Sequence, residues 1–303
     1  MSLFENESDN QKLFLHFYSD GPTTADVTYG TGTPVTYDLP GGEVTIEVPQ
    51  AYVSRVTATS NFVINRKASA HIVSNDKIRV SFSNSAQFST DATAAIPATA
   101  GGHQYIVPNW FEPPMGALPA ENSGRILIIN TGGRTVVSMT PKNNIPGWAA
   151  GEERGYMLEQ GDVFSISGAA DLTGFEIKAS TDLDLVDWPG PPPPPPPPDF
   201  FDDLDCHSLI VYYGNQKSWA GLCSALPASH MVEALPPVTT SGTEFMVVPF
   251  GGRLTSRHTF FAMAMEDNTT LTYVSPLQNV TVTLDKGEKT SSIYSNYPYI
   301  LTS

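Results

Sequence analysis

"LEQGD", Leu158 to Asp162, is the middle copy of a pattern that occurs three times; Leu39 to Glu43 reads "LPGGE" and Leu284 to Glu288 reads "LDKGE". Each copy follows one alternating segment and precedes another. The leucine ends a strand, two residues turn, and the glycine takes the positive-φ position of a type I turn closed by a bulge, so the spacing predicts a tight hairpin. Around these turns "EVTIEV" sets Val44, Ile46 and Val48 on one face and Thr45 and Glu47 on the other. "IRVSF" does the same with Ile78, Val80 and Phe82, and "VTVTL" with Val280, Val282 and Leu284. A period of two is the pattern of half-buried strands. Helical patterning is confined to a turn or two near "SWAGLCSAL".

The repeat extends beyond its turns. "GRILIINTGGRTVVSMTP" (Gly124 to Pro141) and "HTFFAMAMEDNTTLTYVSP" (His258 to Pro276) read as comparable hairpins upstream of the second and third copies. Downstream of all three a strand ends in serine: Ser74, Ser180 and Ser303. "IPATAGGHQYIVPNW" and "LPPVTTSGTEFMVVPF" then align as a Pro-bearing turn, a glycine and an alternating strand. The reading is three related β units, roughly 11–80, 78–188 and 206–303. The first lacks the Gly-His-Gln-Tyr segment and the last lacks the strand expected after its serine. "RILII", "TFFAMAM" and "LFLHF" are apolar on both faces, which requires cover on both sides, from a neighbouring unit or another protomer. The expected fold is therefore all-β: tandem antiparallel sandwich-like units joined in part by a polyproline II linker. Its expected divisions are an N-terminal tail (1–12), a first β region with two units (13–188), a Pro-rich acidic linker (189–205) and a third unit (206–303).

Only 16% of the 303 residues are charged, and the formal net charge is −15. Phosphates need Lys and Arg to neutralise them, so nucleic acid is not an expected partner. Attraction to an anionic membrane is equally disfavoured, and no stretch has the roughly 18–20 apolar residues of a membrane span. The first residues, "MSLFENESDNQ", are polar and acidic and show no signal peptide; the chain reads as intracellular or as numbered from a mature start. Cys206 and Cys223 allow one disulfide. Asn6, Asn268 and Asn279 lie in N-x-Ser/Thr sequons, candidates for N-linked sugar. The run Pro191, Pro192, Pro193, Pro194, Pro195, Pro196, Pro197 and Pro198 forms a polyproline II rod of about 25 Å at roughly 3.1 Å per residue. Such a rod serves as a stiff spacer, as a site of hydroxylation and O-linked sugar, or as a ligand for a proline-binding domain.

The stretch "HMVEALPPVTTSGTEFMVVPF" (His230 to Phe250), followed by "HTFFAMAMEDNTTLTYV", resembles the IgGFc-binding protein N-terminal domain family. "IRVSFSNSAQFSTDATAAIPATAGGHQYIVP" (Ile78 to Pro108), followed by "GRILIINTGGRTVVSM", is similar to it as well. The resemblance covers about 13–303 apart from the proline insertion. It implies β-rich repeats of a secreted or surface protein, and it brings no catalytic residues. The family usually carries a Cys-Asp-His triplet just before the Leu-Pro-Pro; here "SALPAS" separates Cys223 from His230.

No zinc-type cysteine pair, His-Glu-x-x-His, nucleophile elbow, phosphate loop or dinucleotide fingerprint occurs, so neither enzyme activity nor a cofactor is expected. Asp199, Asp202, Asp203 and Asp205 cluster without a calcium-loop signature and read as a solvated linker. Glu266, Asp267 and Asn268 read as a turn. Trp110, Phe111 and Trp148 read as loop anchors before sugar-stacking platforms. The function expected is that of a non-enzymatic extracellular structural or adhesive protein assembling with other copies of itself by strand exchange. Leu13, Phe14, Leu15, Ile300 and Leu301 are the exchange candidates. The alternatives are a glycan- or glycoprotein-binding module and an intracellular scaffold whose prolines bind SH3-, WW- or profilin-like domains.

Overall fold

The structure is a computed structural model describing residues 11–49, 62–86, 89–109, 124–168, 171–186, 206–218, 229–248, 258–291, 293–295 and 297–303. It is all-β and antiparallel, with short 3-10 turns at 98–100, 183–185 and 238–240. Strands pair into three two-sheet units.

Unit 1 contains β1 (Lys12–Ser19), β2 (Thr23–Tyr29), β3 (Val35–Leu39), β4 (Gly42–Val48), β6 (Ala70–Ser74), β7 (Ile78–Ala86) and β8 (Ser89–Ala94). Its sheets run β4-β1-β7-β8 and β3-β2-β6. Unit 2 takes β5 (Phe62–Asn65), β9 (Gln104–Ile106), β10 (Gly124–Asn130), β11 (Thr135–Thr140), β12 (Arg154–Leu158), β13 (Val163–Gly168), β14 (Glu176–Ser180), β15 (Leu209–Ser218) and β16 (Ser229–Leu235). Its sheets run β16-β15-β10-β13-β5 and β12-β11-β14-β9. Unit 3 has β17 (Glu244–Val247), β18 (His258–Phe260), β19 (Thr269–Val274), β20 (Asn279–Leu284), β21 (Ile293–Ser295) and β22 (Tyr299–Thr302), in sheets β17-β22-β19-β20 and β18-β21.

The repeated Leu-x-x-Gly-acid turn is confirmed as a turn and corrected as a hairpin. Gly42, Gly161 and Gly287 have φ of +78°, +80° and +72°, as the spacing requires. The strands on either side do not pair with each other: β3, β12 and β20 lie in one sheet, β4, β13 and β21 in the other. The turn is a corner between the layers of the sandwich. In two copies the acid closes it, with Asp162 Oδ2 accepting from Glu159 N (3.0 Å) and Glu288 Oε2 from Asp285 N (2.9 Å). The upstream pairs β10/β11 and β18/β19 are likewise corners, because each strand finds its partners in its own sheet.

Units 1 and 2 interlock. β5, from within unit 1's sequence, pairs with β13 of unit 2. The buried Asp162 then accepts from Arg66 Nη1 (2.5 Å) and Lys67 N (2.9 Å), clipping the turn after β5 to the corner of unit 2. The central sheet of unit 2 is covered on both faces, which accounts for the two-sided apolar strand "RILII". Ile126, Ile128, Phe164, Ile166 and Val211 pack inward with Val137, Trp148, Tyr156 and Ile177. Leu127, Ile129, Val163, Ile210 and Tyr212 pack outward into the core of unit 1 with Leu15, Phe17, Val27 and Phe82. Unit 3 has a smaller core, with Leu271, Ile293, Tyr299 and Leu301 buried. It meets unit 2 through polar contacts: Lys286 Nζ to Glu176 Oε2 at 2.6 Å, Lys142 Nζ to the Lys286 carbonyl at 2.6 Å, and Lys289 Nζ to the Asn109 carbonyl at 2.9 Å.

Two sequence expectations change here. The unit boundary at 189–205 moves, because β15 and β16 belong to unit 2: β15 pairs with β10 from Leu209↔Asn130 to Asn215↔Gly124. The proline run itself lies outside the described residues. Its flanks, β14 and β15, are strands of opposite sheets in one sandwich, so it is an insertion within unit 2 where unit 1 uses only Asn75, Asp76 and Lys77. The serine landmark also shifts. Thr23↔Leu39, Thr135↔Leu158 and Thr269↔Leu284 are matching pairs, and counting from them Ser74 and Ser303 correspond to Ala179, not Ser180.

Candidate functional site

The site is built from a strand that the repeat uses differently in each unit. In unit 2, β9 lies along the outer edge of β14, with Ile106↔Glu176, Tyr105↔Ile177 and Gln104↔Lys178; Ala179 N also donates to the His103 carbonyl at 2.8 Å. The same segment reaches the other sheet. Gly102 N donates to the Leu209 carbonyl at 3.1 Å, and Leu209 N returns to the Gly102 carbonyl at 2.8 Å. Tyr105 fills the space between. Its ring is 1% exposed, its hydroxyl bonds the Leu209 carbonyl, and Gly102 N donates to that hydroxyl at 2.7 Å. Desolvation pushes the Tyr105 hydroxyl up to about 12, against the hydrogen bond from Gly102. Segment 101–106 is thus a plug that closes one side of the sandwich.

In unit 3 the plug strand is present, and among the described residues its second partner is not. β17 pairs with β22 through Glu244↔Thr302, Phe245↔Leu301, Met246↔Ile300 and Val247↔Tyr299, and Ser303 N donates to the Thr243 carbonyl at 2.9 Å, as Ala179 does to His103. Phe245 stands where Tyr105 stands. A Cβ added at Gly242 would lie 3.3 Å from Phe245 Cζ, and one at Gly102 would lie 3.5 Å from Tyr105 Oη, so both rings fold back over the same glycine. Yet Phe245 is 50% exposed. β1 has β4 and β7 on its two edges, and β10 has β13 and β15; among the described residues β18 has β21 alone. On the outer face of the other sheet, turned away from β18, Met246, Ile300 and Val274 form an exposed apolar row across β17, β22 and β19, held by Met246↔Ile300↔Val274.

In unit 1 β7 is present, and among the described strands β6 pairs with β2 alone. A cleft of about 650 Å³ opens there. Ala70, His71, Ile72 and Ser74 of β6, Ile78 and Val80 of β7, and Ile129, Ile210 and Tyr212 of unit 2 line it. Ile72 and Ser74 correspond to Ile177 and Ala179, the residues that meet Tyr105 and His103 in unit 2.

The exchange candidates named from the sequence are corrected. Leu13, Phe14 and Leu15 sit in β1 between β4 and β7, and Ile300 and Leu301 sit in β22 between β17 and β19. Strands paired on both edges have no free hydrogen-bonding edge to exchange. Cys206 is half-buried just before β15; Cys223 lies outside the described residues, as do Asn6, Trp110, Phe111 and the acidic cluster at 199–205. Asn268 is an exposed turn residue with φ +56°, its N–H donated to Asp285 Oδ1, and Asn279 is exposed at the start of β20. Trp148 is buried against Phe62, Tyr156 and Phe175, with Nε1 donating to the Glu152 carbonyl at 2.7 Å. It offers no face to a sugar. Among the described residues, no group of three or more His, Cys, Asp or Glu is placed to hold a metal ion, and no helix is long and apolar enough to cross a membrane.

Tandem antiparallel β-sandwiches, the first two interlocked, define a class of all-β repeat protein. The sequence model of the IgGFc binding protein family matches residues 91–303, well over half of the chain. The chain belongs to that family, whose members are typically secreted or surface proteins. No curated protein and no solved structure matches it.

Proposed function

We propose that this protein is a non-enzymatic extracellular structural or adhesive protein, whose neighbours in an assembly, other copies of itself, add to it by strand addition at the β18 edge of unit 3. The observation that carries the proposal is β18 pairing on one side only among the described residues, beside a half-exposed Phe245 whose counterpart Tyr105 is buried by β15. An unpaired edge next to exposed apolar surface is the usual acceptor for an added strand, with main-chain hydrogen bonds supplying affinity and side-chain pockets supplying register. A strand of one copy added at the β18 edge of another makes a heterologous contact, which extends into filaments without closing into pairs.

The reading is tested by sedimentation and electron microscopy of the full chain over a concentration series. Association should rise with concentration and be blocked by a synthetic peptide copying Leu209–Asn215, the β15 strand. A chain that stays monomeric throughout and does not bind this peptide overturns the proposal. Glycan binding is the second reading, and the burial of Trp148 removes one of the platforms on which it rested.

A further inference from the structure

The corner that joins the two layers of a sandwich is also where units 2 and 3 each meet the unit before. We infer that the corner of unit 1, residues 39–43, docks in another copy of this chain on the unit 3 surface around Pro298 and Ile300, so that copies join head to tail. The inference deepens the assembly reading with a second contact between copies, and rests on it only for the neighbour being another copy. It requires no added strand.

Two seams within the chain set the pattern. At the first, the corner of unit 2 sits on the turn before β6. Ser69 N and Oγ donate to the Gly161 carbonyl at 3.3 and 2.9 Å, and Lys67 Nζ donates to the Gln160 carbonyl at 2.5 Å. At the second, the corner of unit 3 sits on the turn before β14. A Cβ added at Gly287 would lie 2.9 Å from Gly174 Cα, and Lys142 Nζ donates to the Lys286 carbonyl at 2.6 Å. The places match on both sides. Gly161 and Gly287 are third after Leu158 and Leu284, and Ser69 and Gly174 are fifth before Ser74 and Ala179. Units 2 and 3 thus lay a corner glycine on the same position of the unit before.

The same count leaves one corner and one seat over. The corner is that of unit 1: a Cβ added at Gly42 would meet nothing within 4 Å among the described residues, and Pro40 and Glu43 beside it are exposed. The seat is Pro298, fifth before Ser303. It is exposed, two residues from Ile300 in the exposed apolar row with Met246 and Val274. The chemistry of the two is matched. At the seam of units 2 and 3, Lys286 of the corner pairs with Glu176 of the seat at 2.6 Å; the leftover corner has Gly41 in place of Lys286, and the leftover seat has Ile300 in place of Glu176. Both halves of the ion pair are replaced together, which turns a charged contact into an apolar one. An exposed apolar row at this place marks an interaction surface. The occupant is a second copy, because the corner of unit 1 is built to the pattern of the two corners already seated. Corner and seat are different surfaces, so the contact is heterologous and propagates.

The test is sedimentation velocity of the full chain over a concentration series. Pro40→Glu and Ile300→Glu should each weaken self-association at least about tenfold, because each puts a carboxylate into an apolar contact. Both should leave binding of the β15 peptide unchanged. Unit 2 carries glutamate at the two matching places, Glu159 and Glu176, so the repeat already accepts it there. An equimolar mixture of the variants should form pairs at concentrations where neither associates alone, since one keeps its seat and the other its corner. A variant that had lost its fold would not be rescued in this way. With the native chain, peroxide oxidation of the exposed Met246 should slow as association rises. The inference is overturned if the native chain stays monomeric, if either variant associates as the native chain does, if the mixture does not pair, or if the oxidation rate of Met246 is unchanged on association. The two contacts fail separately. Association blocked by the β15 peptide and untouched by both variants leaves strand addition standing and refutes the corner contact; a peptide that does not bind, with variants that complement each other, does the reverse.

Discussion

Tyr105 and Phe245 hold the same position in two copies of one repeat, and their surroundings differ by a single strand. Around Tyr105, β14 and β15 supply two walls, and the ring is 1% exposed. Around Phe245, β22 supplies one wall, and the ring is 50% exposed. The difference shows that the plug strand is designed to be clasped between two sheets, and that pairing with one of them positions the aromatic without burying it. What is core in one unit is half-exposed surface in the next. The assignment of β18 as an acceptor follows from that, and it can be broken in several ways.

The largest expected effect is from Tyr105→Ala. Truncating a buried aromatic and leaving the Leu209 carbonyl and Gly102 N–H without their hydroxyl partner should cost about 3–5 kcal/mol, read from urea unfolding of the full chain. Phe245→Ala should cost under about 1 kcal/mol by the same measurement, as surface substitutions do. Equal costs would mean that Phe245 is covered in solution and that unit 3 has no open side. Alkaline titration sharpens the contrast. Burial pushes Tyr105, Tyr212 and Tyr213 up to about 12. Below the unfolded value of 10 all states hold the proton; above it the unfolded chain releases protons that the folded chain retains. Stability should therefore fall between pH 10 and about 12, with a late group of tyrosines in the tyrosinate absorbance that Tyr105→Ala diminishes.

How much of this was legible in the sequence differs between turn and partner. The Leu-x-x-Gly-acid turn could be read because glycine at positive φ is a local requirement, met at Gly42, Gly161 and Gly287. Whether the strands leaving that turn pair with each other is not local. A hairpin and a corner between sheets ask the same of the turn residues, and only the distant partners, β1 and β7 for one layer and β2 and β6 for the other, decide it. The proline run misled for the same reason: an unusual composition looks like a boundary, while "LIVYYGN" beyond it returns to pair with β10. The equivalence of "GTEFM" with "GHQYI" was legible because the repeat supplied an internal standard. The exchange residues were not, since Leu13–Leu15 and Ile300–Leu301 are apolar because they are central, and an apolar strand does not announce which of its edges is free.

A second comparison lies in the acids of two of the three corners. Asp162 is buried and accepts from Glu159 N, Lys67 N and Arg66 Nη1. Glu288 is exposed and accepts from Asp285 N. Asp162→Asn should cost about 2–3 kcal/mol, because a buried carboxylate with charge-assisted bonds is replaced by a group with one acceptor oxygen. Glu288→Gln should stay within about 0.5 kcal/mol. Denaturant midpoints of the two variants at constant m-value make the comparison, and a reversed order would mean that unit 3 depends on its corner as strongly as unit 2 does.

The smallest effect concerns the seam between units 1 and 2, where β8 meets β16. Asp91 Oδ2 accepts from Val232 N at 2.7 Å, and Thr93 Oγ1 accepts from Ala234 N at 3.1 Å. Desolvation holds the Asp91 carboxyl above its ordinary value; desolvation and then the Asp91 charge do the same to Glu233. A carboxyl raised in the folded state binds its proton more tightly there than in the unfolded chain. Its ionisation at neutral pH works against folding, and stability rises as pH falls through the raised values towards the ordinary 3.8 and 4.5. Glu233→Gln removes one of the two charges and should raise the midpoint of thermal unfolding at neutral pH by up to about 2 °C. The gain should vanish in acid, where Glu233 is itself neutral. Asp91 and Glu233 both lie at the seam of units 1 and 2, so this pH dependence should follow the interlocked units and leave binding of the β15 peptide at unit 3 unchanged.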